Sequence, residues 1–199
     1  MNHLKDLKQL KNKYFVMRHG ESEANVQKII ISYHKNGVQE YGLSNLGKKQ
    51  AQDSIEKNKI LDKHTIIYTS DLKRTIETAN IIAKHLKIKV IHKDIRLRER
   101  NFGKWETTHN SNYNKIWEDD LNDPNHKIKD VESTKEVLSR TTELILWLEQ
   151  KYNNKKIVLV AHGDALQILQ SGFQKMCSSK HRSFQHLETA EIRELKLER

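Results

Sequence analysis

The stretch YFVMRHGES, residues 14–22, is an apolar run that ends at once in a cation, an imidazole, a glycine, an acid and a hydroxyl. An unbroken apolar run of this length reads as a buried strand, here 13–18. VLVAHGD, residues 158–164, repeats the arrangement: an apolar strand over 156–161 that ends in His-Gly-acid. Short β-branched runs at 65–69, 88–92 and 189–195 give three further strand candidates. Helical patterns separate them. Residues 45–57 follow a candidate cap, Ser44, and 71–86 follow Ser70. The pattern over 134–152 opens on Ser133-x-x-Glu136, a capping box, with Val137, Leu138, Thr141, Leu144, Ile145 and Leu148 at core spacing. A last helix follows Gly163. Strands alternating with helices specify an α/β fold with a largely parallel sheet. The final strand alternates apolar and polar residues in TAEIREL, as an edge strand does.

A chain of 199 residues suits one domain, and 36 Lys and Arg against 26 Asp and Glu give a net charge of +10. Only nine of the 36 cations are Arg, and the lysines are scattered with no basic stripe interleaved by aromatics. The charge therefore reads as a solvated surface that favours anionic ligands, and no nucleic-acid partner is expected. Cys177 is the single cysteine, which rules out an intramolecular disulfide and fits a reducing, cytoplasmic setting. No run of about 18 apolar residues is present, so no membrane partner is expected. Residues 1–12 have neither an apolar signal core nor a small-residue cleavage site. Leu4, Leu7 and Leu10, spaced by three, predict a short helical extension over 1–12 lying on a single domain over 13–199. No cluster of His, Cys, Asp and Glu has metal-ligand spacing, so neither a metal nor a cofactor is expected.

In open α/β sheets ligands bind beyond the carboxyl ends of the strands. Arg18 and His19 leave the first strand there and His162 and Gly163 leave the fourth. The strand at 65–69 exits into a helix whose first turn carries Arg74. Two histidines, two arginines and the free N–H groups of helix N-termini form a site for an anion. GLSNLGKK, residues 42–49, comes close to a phosphate-binding glycine loop, but Lys49 stands where the magnesium-binding Ser or Thr belongs, and no buried strand precedes it.

The constellation resembles the histidine phosphatase superfamily, the phosphoglycerate-mutase-like family. Arg18-His19-Gly20-Glu21-Ser22-x-x-Asn25 matches its signature, SDLKRTIETA the segment of its second arginine, LRERNFGKWE its acid-bearing segment and VAHGD its second-histidine segment. The resemblance runs from about Tyr14 to Leu195 and places Leu43, Ser44, Gly47, Gln50 and Ala51 at the start of the family's first helix. It implies a three-layer α/β/α sandwich with a mostly parallel sheet. It implies His19 as nucleophile, forming a phosphohistidine, with Glu99 as general acid and then base, and His162 as the second catalytic histidine. Arg18, Arg74 and His162 would clamp the phosphoryl oxygens. Asn25 would add a neutral donor, and Ser22 and Gly163 would join the substrate-binding set.

Other readings attach to the same residues. Arg96, Arg98 and Arg100 surround Glu99, as in a surface ion-pair cluster. Glu21 reads as a folding residue, and the nine histidines outside the two motifs as structural or exposed. Thr107 follows Trp105-Glu106 where the family often has Gly, and Glu40-Tyr41-Gly42 replaces its usual turn before the first helix. Both departures concern the pocket mouth. The segment between Glu99 and His162 is short for a glycolytic mutase. The expected activity is thus a phosphatase acting on a small phosphorylated substrate. A phosphoglycerate mutase and a non-catalytic phospho-ligand-binding module are the alternatives. The sequence leaves the oligomeric state open.

Overall fold

The strand β1 (Lys13–Arg18) turns Tyr14 and Val16 to one face and Phe15 and Met17 to the other, all fully buried. A strand apolar on both faces needs cover on both sides. In the computed structural model, which describes residues 1–198, helices supply it. β2 (Ile66–Thr69), β3 (Ile91–Lys93), β4 (Lys156–Ala161) and β5 (Ile192–Leu195) complete one sheet in the order β3-β2-β4-β1-β5. The first four strands are parallel, and β5 pairs antiparallel with β1 at the edge.

Along the chain the helices are α1 (Glu23–Val26), α2 (His34–Gly37), α3 (Asn45–Lys57), α4 (Lys73–Leu86), α5 (Tyr113–Asn122), α6 (Thr134–Lys151) and α7 (Gly163–Phe173). Ala51 and Ile55 of α3 and Ala79 and Ile82 of α4 pack on Phe15, Met17, Ile67, Val158 and Val160. On the other face Leu144, Ile145 and Leu148 of α6 and Leu166, Leu169 and Phe173 of α7 pack on Tyr14, Val16, Ile157 and Leu159. The result is the expected three-layer sandwich. A small satellite core of Ile30, Phe102, Ile116 and Val131 sits beyond the strand exits and holds α5 there.

The caps form where expected for α3 and α6. Ser44 Oγ accepts from Gly47 N at 2.9 Å, and Ser133 and Glu136 close a reciprocal box. For α4 the expectation changes: Leu72 is the N-cap, and the helix starts at Lys73. Ser70 stays extended at the β2 exit, where its Oγ meets His162. β3 and β5 are shorter than expected: β3 starts at Ile91 and ends at Lys93, and β5 starts at Ile192, after a turn at 189–190. Ala190 adopts φ 60°, and its N–H donates to Arg18 O at 3.1 Å. Residues 1–12 contain turns and no helix. Side chains satisfy their backbone N–H groups instead: His3 N donates to Thr142 Oγ1 and Asn12 N to Glu149 Oε1. Leu4 is fully buried in the α6–α7 face of the core. Among the described residues no helix is long and apolar enough to cross a membrane.

Candidate active site

Adjacency of β1 and β4 builds the site. Their parallel register aligns Arg18 with Ala161, so the next residues, His19 and His162, emerge side by side. Their rings meet edge to face, with centroids 5.3 Å apart. Behind them β1 turns tightly over the start of α3. A Cβ on Gly20 would lie 2.3 Å from Gly47 O, and one on Gly47 would lie 1.9 Å from Glu21 O. Both glycines are required by this close approach. Glu21 fastens the contact: its Oε1 accepts from Ser44 Oγ at 2.6 Å, and its N–H donates to Gln50 Oε1 at 2.8 Å. That is the folding role expected of it.

His19 is 4% exposed. Its Nδ1 lies 2.7 Å from Gly20 O. A carbonyl only accepts, so Nδ1 carries the proton and Nε2 the lone pair. Nε2 accepts from Arg74 Nε at 3.1 Å. Burial, then the charges of Arg74 and Arg18, hold the imidazole well below its ordinary pKa. His162, fully buried, is held low by burial first and Arg74 next, and its Nε2 lies 3.0 Å from Ser70 Oγ. Four buried side-chain nitrogens have no hydrogen-bond partner among the described residues; one, His181 Nε2, lies beside Asp164, and the other three belong to the site: Arg18 Nε, Arg74 NH1 and His162 Nδ1. A buried polar group left unpaired is costly, and here three belong to side chains gathered at the exits that carry His19. A pocket of about 210 Å³ opens at this point.

Glu99 lines the same pocket. Its Oε1 accepts from Arg100 N at 2.9 Å and from Ala165 N, in the first turn of α7, at 3.1 Å. Burial first, and the nearby Asp164 carboxylate second, raise its pKa. The three flanking arginines pair elsewhere, which removes the ion-cluster reading. Arg96 bonds Asp94 and Glu143, Arg98 bonds Asp71, and Arg100 bonds Asp120 and Asp164. Glu106 is tied to Ser32, Tyr33 and Asn36 and is a structural acceptor.

The structure thus brings Arg18, His19, Arg74, Glu99 and His162 together. Gly163 lies against Arg18, where a Cβ would stand 3.4 Å from its Nε. Ser22 lines the pocket, as expected of the substrate-binding set, and also has a structural part. Its Oγ caps α1, accepting from Asn25 N and donating to Asn25 Oδ1 at 2.9 Å. It therefore holds Asn25, whose amide also lines the pocket. Among the described residues no group of three or more potential ligands could hold a metal.

Sequence reasoning missed His186, Tyr113, Trp117 and Asn110, which line the pocket as well. Arg18 NH1 donates to His186 Nε2 at 2.8 Å and to Leu187 O at 2.9 Å. Burial first and then the Arg18 charge push the His186 pKa down. His186 lies outside every motif, and no local pattern marks it. Tyr113 and Trp117 carry the i, i+4 spacing of a helix face, and their rings stack at 5.5 Å with 9° between planes. His126 and His181, grouped with structural or exposed residues, are buried beside Asp120. That acid and Asp164 compensate the fully buried Arg100.

Known proteins resemble the chain in sequence and in fold. The chain belongs to the histidine phosphatase superfamily (branch 1), whose family model matches residues 14–199. It is 31% identical to an uncharacterized phosphatase, PhoE, of Bacillus subtilis, over 77% of this chain and 73% of that protein. It is 33% identical to a 2,3-bisphosphoglycerate-dependent phosphoglycerate mutase of Buchnera aphidicola, over 80% of this chain and 82% of that one. The solved phosphoserine phosphatase of Entamoeba histolytica, in complex with 3-phosphoglyceric acid, superposes with a TM-score of 0.73 and 27% identity, over 91% of this chain and 88% of that one. A mycobacterial glucosyl-3-phosphoglycerate phosphatase, 23% identical, shares the fold at a TM-score of 0.74, over 92% of this chain and 88% of that one. Members of the superfamily are thus phosphatases or mutases.

Proposed function

We propose that the protein is a phosphatase that hydrolyses a small phosphate monoester through a phosphohistidine on His19. The observation that supports this reading is the set of three unpartnered buried nitrogens, on Arg18, Arg74 and His162, in side chains beside the His19 imidazole. A phosphoryl group has three equatorial oxygens, and three fixed donors stabilise the charge spread over them in transfer.

In the first step the Nε2 lone pair attacks phosphorus, and the P–O bond to the alcohol breaks. Glu99, neutral when its raised pKa keeps the proton, gives that proton to the leaving oxygen. Arg74, released from Nε2, turns its donors to the phosphoryl oxygens. The phosphorylated ring becomes cationic, and Gly20 O, still accepting from Nδ1, offsets part of that charge. With the Ser70 hydroxyl donating to His162 Nε2, His162 Nδ1 carries the proton and donates to phosphate. In the second step Glu99, now a carboxylate, takes a proton from water. The water oxygen attacks phosphorus, and the N–P bond breaks to free inorganic phosphate and His19. Two displacements replace one slow one.

The test is a rapid quench into alkali during turnover of a phosphate monoester. An acid-labile phosphoryl group is expected on His19, with net release of inorganic phosphate. An active enzyme with no such adduct, or with the adduct on His162, overturns the assignment. Isomer formation from 3-phosphoglycerate without phosphate release would mark a mutase.

A further inference from the structure

The phosphoryl group uses up the free cationic donors of the pocket, and the remaining wall bears on the rest of the substrate. Arg74 commits Nε to His19 and NH2 to Ile31 O, and Arg18 commits NH1 to His186 and Leu187 O. What these two arginines still offer points at one phosphate. Beyond it the wall consists of Ala24, Ile29, Ile31 and the stacked Tyr113–Trp117 pair, with Asn25 and Asn110 as neutral amides. It also holds two carboxyl groups, Glu99 and Asp164, and the His186 imidazole. Arg182 lies 3.7 Å from the Trp117 ring centre but does not line the pocket.

A larger cavity of about 700 Å³ shares Glu99 with the pocket. Its three cations are each taken by a carboxylate: Arg98 by Asp71, Lys127 by Glu136 and Arg140 by Glu132. A second anion on the alcohol would lose its hydration, find no guanidinium or ammonium in either lining beyond those already committed, and lie near the Asp164 carboxylate. An apolar or aromatic alcohol would instead cover Ile29 and the Tyr113–Trp117 pair.

From this wall we infer that the substrate is a monoester whose alcohol carries no second anion and packs an apolar or aromatic group against the lining of Ile29, Ile31, Tyr113 and Trp117. The inference rests on the phosphatase reading above.

Matched substrates test it. Glycerol 1-phosphate and 3-phosphoglycerate have the same carbon skeleton and differ by a hydroxymethyl group against a carboxylate. The neutral one is expected to have at least tenfold higher kcat/KM. Phenethyl phosphate should exceed ethyl phosphate by about tenfold. Ile29→Arg adds a cation to the wall and should raise kcat/KM for 3-phosphoglycerate at least fivefold without raising that for glycerol 1-phosphate. Should that variant misfold by circular dichroism, Asn110→Lys serves the same purpose. Equal or better turnover of 3-phosphoglycerate by the wild type overturns the inference and leaves the phosphohistidine reading intact. If no ester is turned over, the phosphatase reading fails, and calorimetric titration of the same pair decides the inference alone. Tighter binding of glycerol 1-phosphate supports it, and tighter binding of 3-phosphoglycerate sinks it.

Discussion

Oε1 of Glu99 is held by two backbone N–H groups, which fix the side chain. In the mechanism proposed above, Oε2 is the oxygen that exchanges the proton. A general acid matters most when the leaving group is poor, and it contributes roughly 10²–10⁴-fold. Glu99→Gln keeps the shape and removes the transferable proton. His19 phosphorylation by an alkyl phosphate should therefore slow by about 10²-fold or more, and that by 4-nitrophenyl phosphate far less, in single-turnover rapid quench. Parallel losses in a folded variant would strike Glu99 from the mechanism. His186 is a positioning residue, and it makes a different prediction. Its Nε2 accepts from Arg18 and so aims the guanidinium. Gln can place an oxygen where Nε2 stands, and Leu cannot. His186→Leu should weaken inorganic phosphate binding about tenfold by calorimetry, while His186→Gln stays within about threefold. Equal losses in both variants would mean that the imidazole only fills space.

At the scale of elements, legibility followed locality. The exits of β1 and β4 and the caps of α3 and α6 depend on residues a few positions apart, and the sequence displays them. The helix expected over 1–12 was the counter-case. Its three leucines do face the core, but the backbone is held by Thr142 and Glu149, distant partners that no local pattern reveals. The strand and helix α5 make the same contrast at the site: His19 was readable from its motif, whereas Trp117 and His186 reach the pocket through tertiary packing alone. Arg100 looked like one of three surface charges, and only the fold shows it fully buried between Asp120 and Asp164. The contact between the β1 exit and α3 yields a prediction for this scale. Gly47→Ala drives a methyl group into Glu21 backbone at 1.9 Å, so α3 must move away from the strand that carries His19. Overpacking costs typically ~1–3 kcal/mol. The variant should lose at least that much in urea denaturation and lose activity beyond its loss of folded protein. Unchanged stability and turnover would show that this contact does not set the site.

The whole molecule feels the site through pH. His19 and His162 are buried, and their pKa values lie well below the ordinary imidazole value, with burial the main cause and Arg74 the next. In the unfolded chain both titrate near ~6.5. A group whose folded pKa is depressed leaves the unfolded state holding more protons in the interval between the two values, so stability must fall as pH drops below ~6.5. Each histidine contributes up to ~1.4 kcal/mol per pH unit there, and the pair up to about 2.7. His186, shifted in the same direction, adds to the slope. Glu99, shifted up, opposes this slope as one group against three, and Asp164 lies outside the window. Burial alone would raise its pKa, but His181 and Arg100 draw it far below the carboxylate range, so its contribution is lost only below about pH 4. Denaturation by urea should therefore give nearly constant stability from pH 8 to 7 and a steep decline from 6.5 to 5.5. His162→Gln, which cannot titrate, should remove its own share, up to ~1.4 kcal/mol per pH unit, while keeping an amide in the imidazole's place. A stability profile flat down to pH 5.5 would mean that the folded protein takes up these protons as readily as the unfolded chain. The nucleophile would then be an imidazolium over part of the working range, and the arginines beside it would need another role.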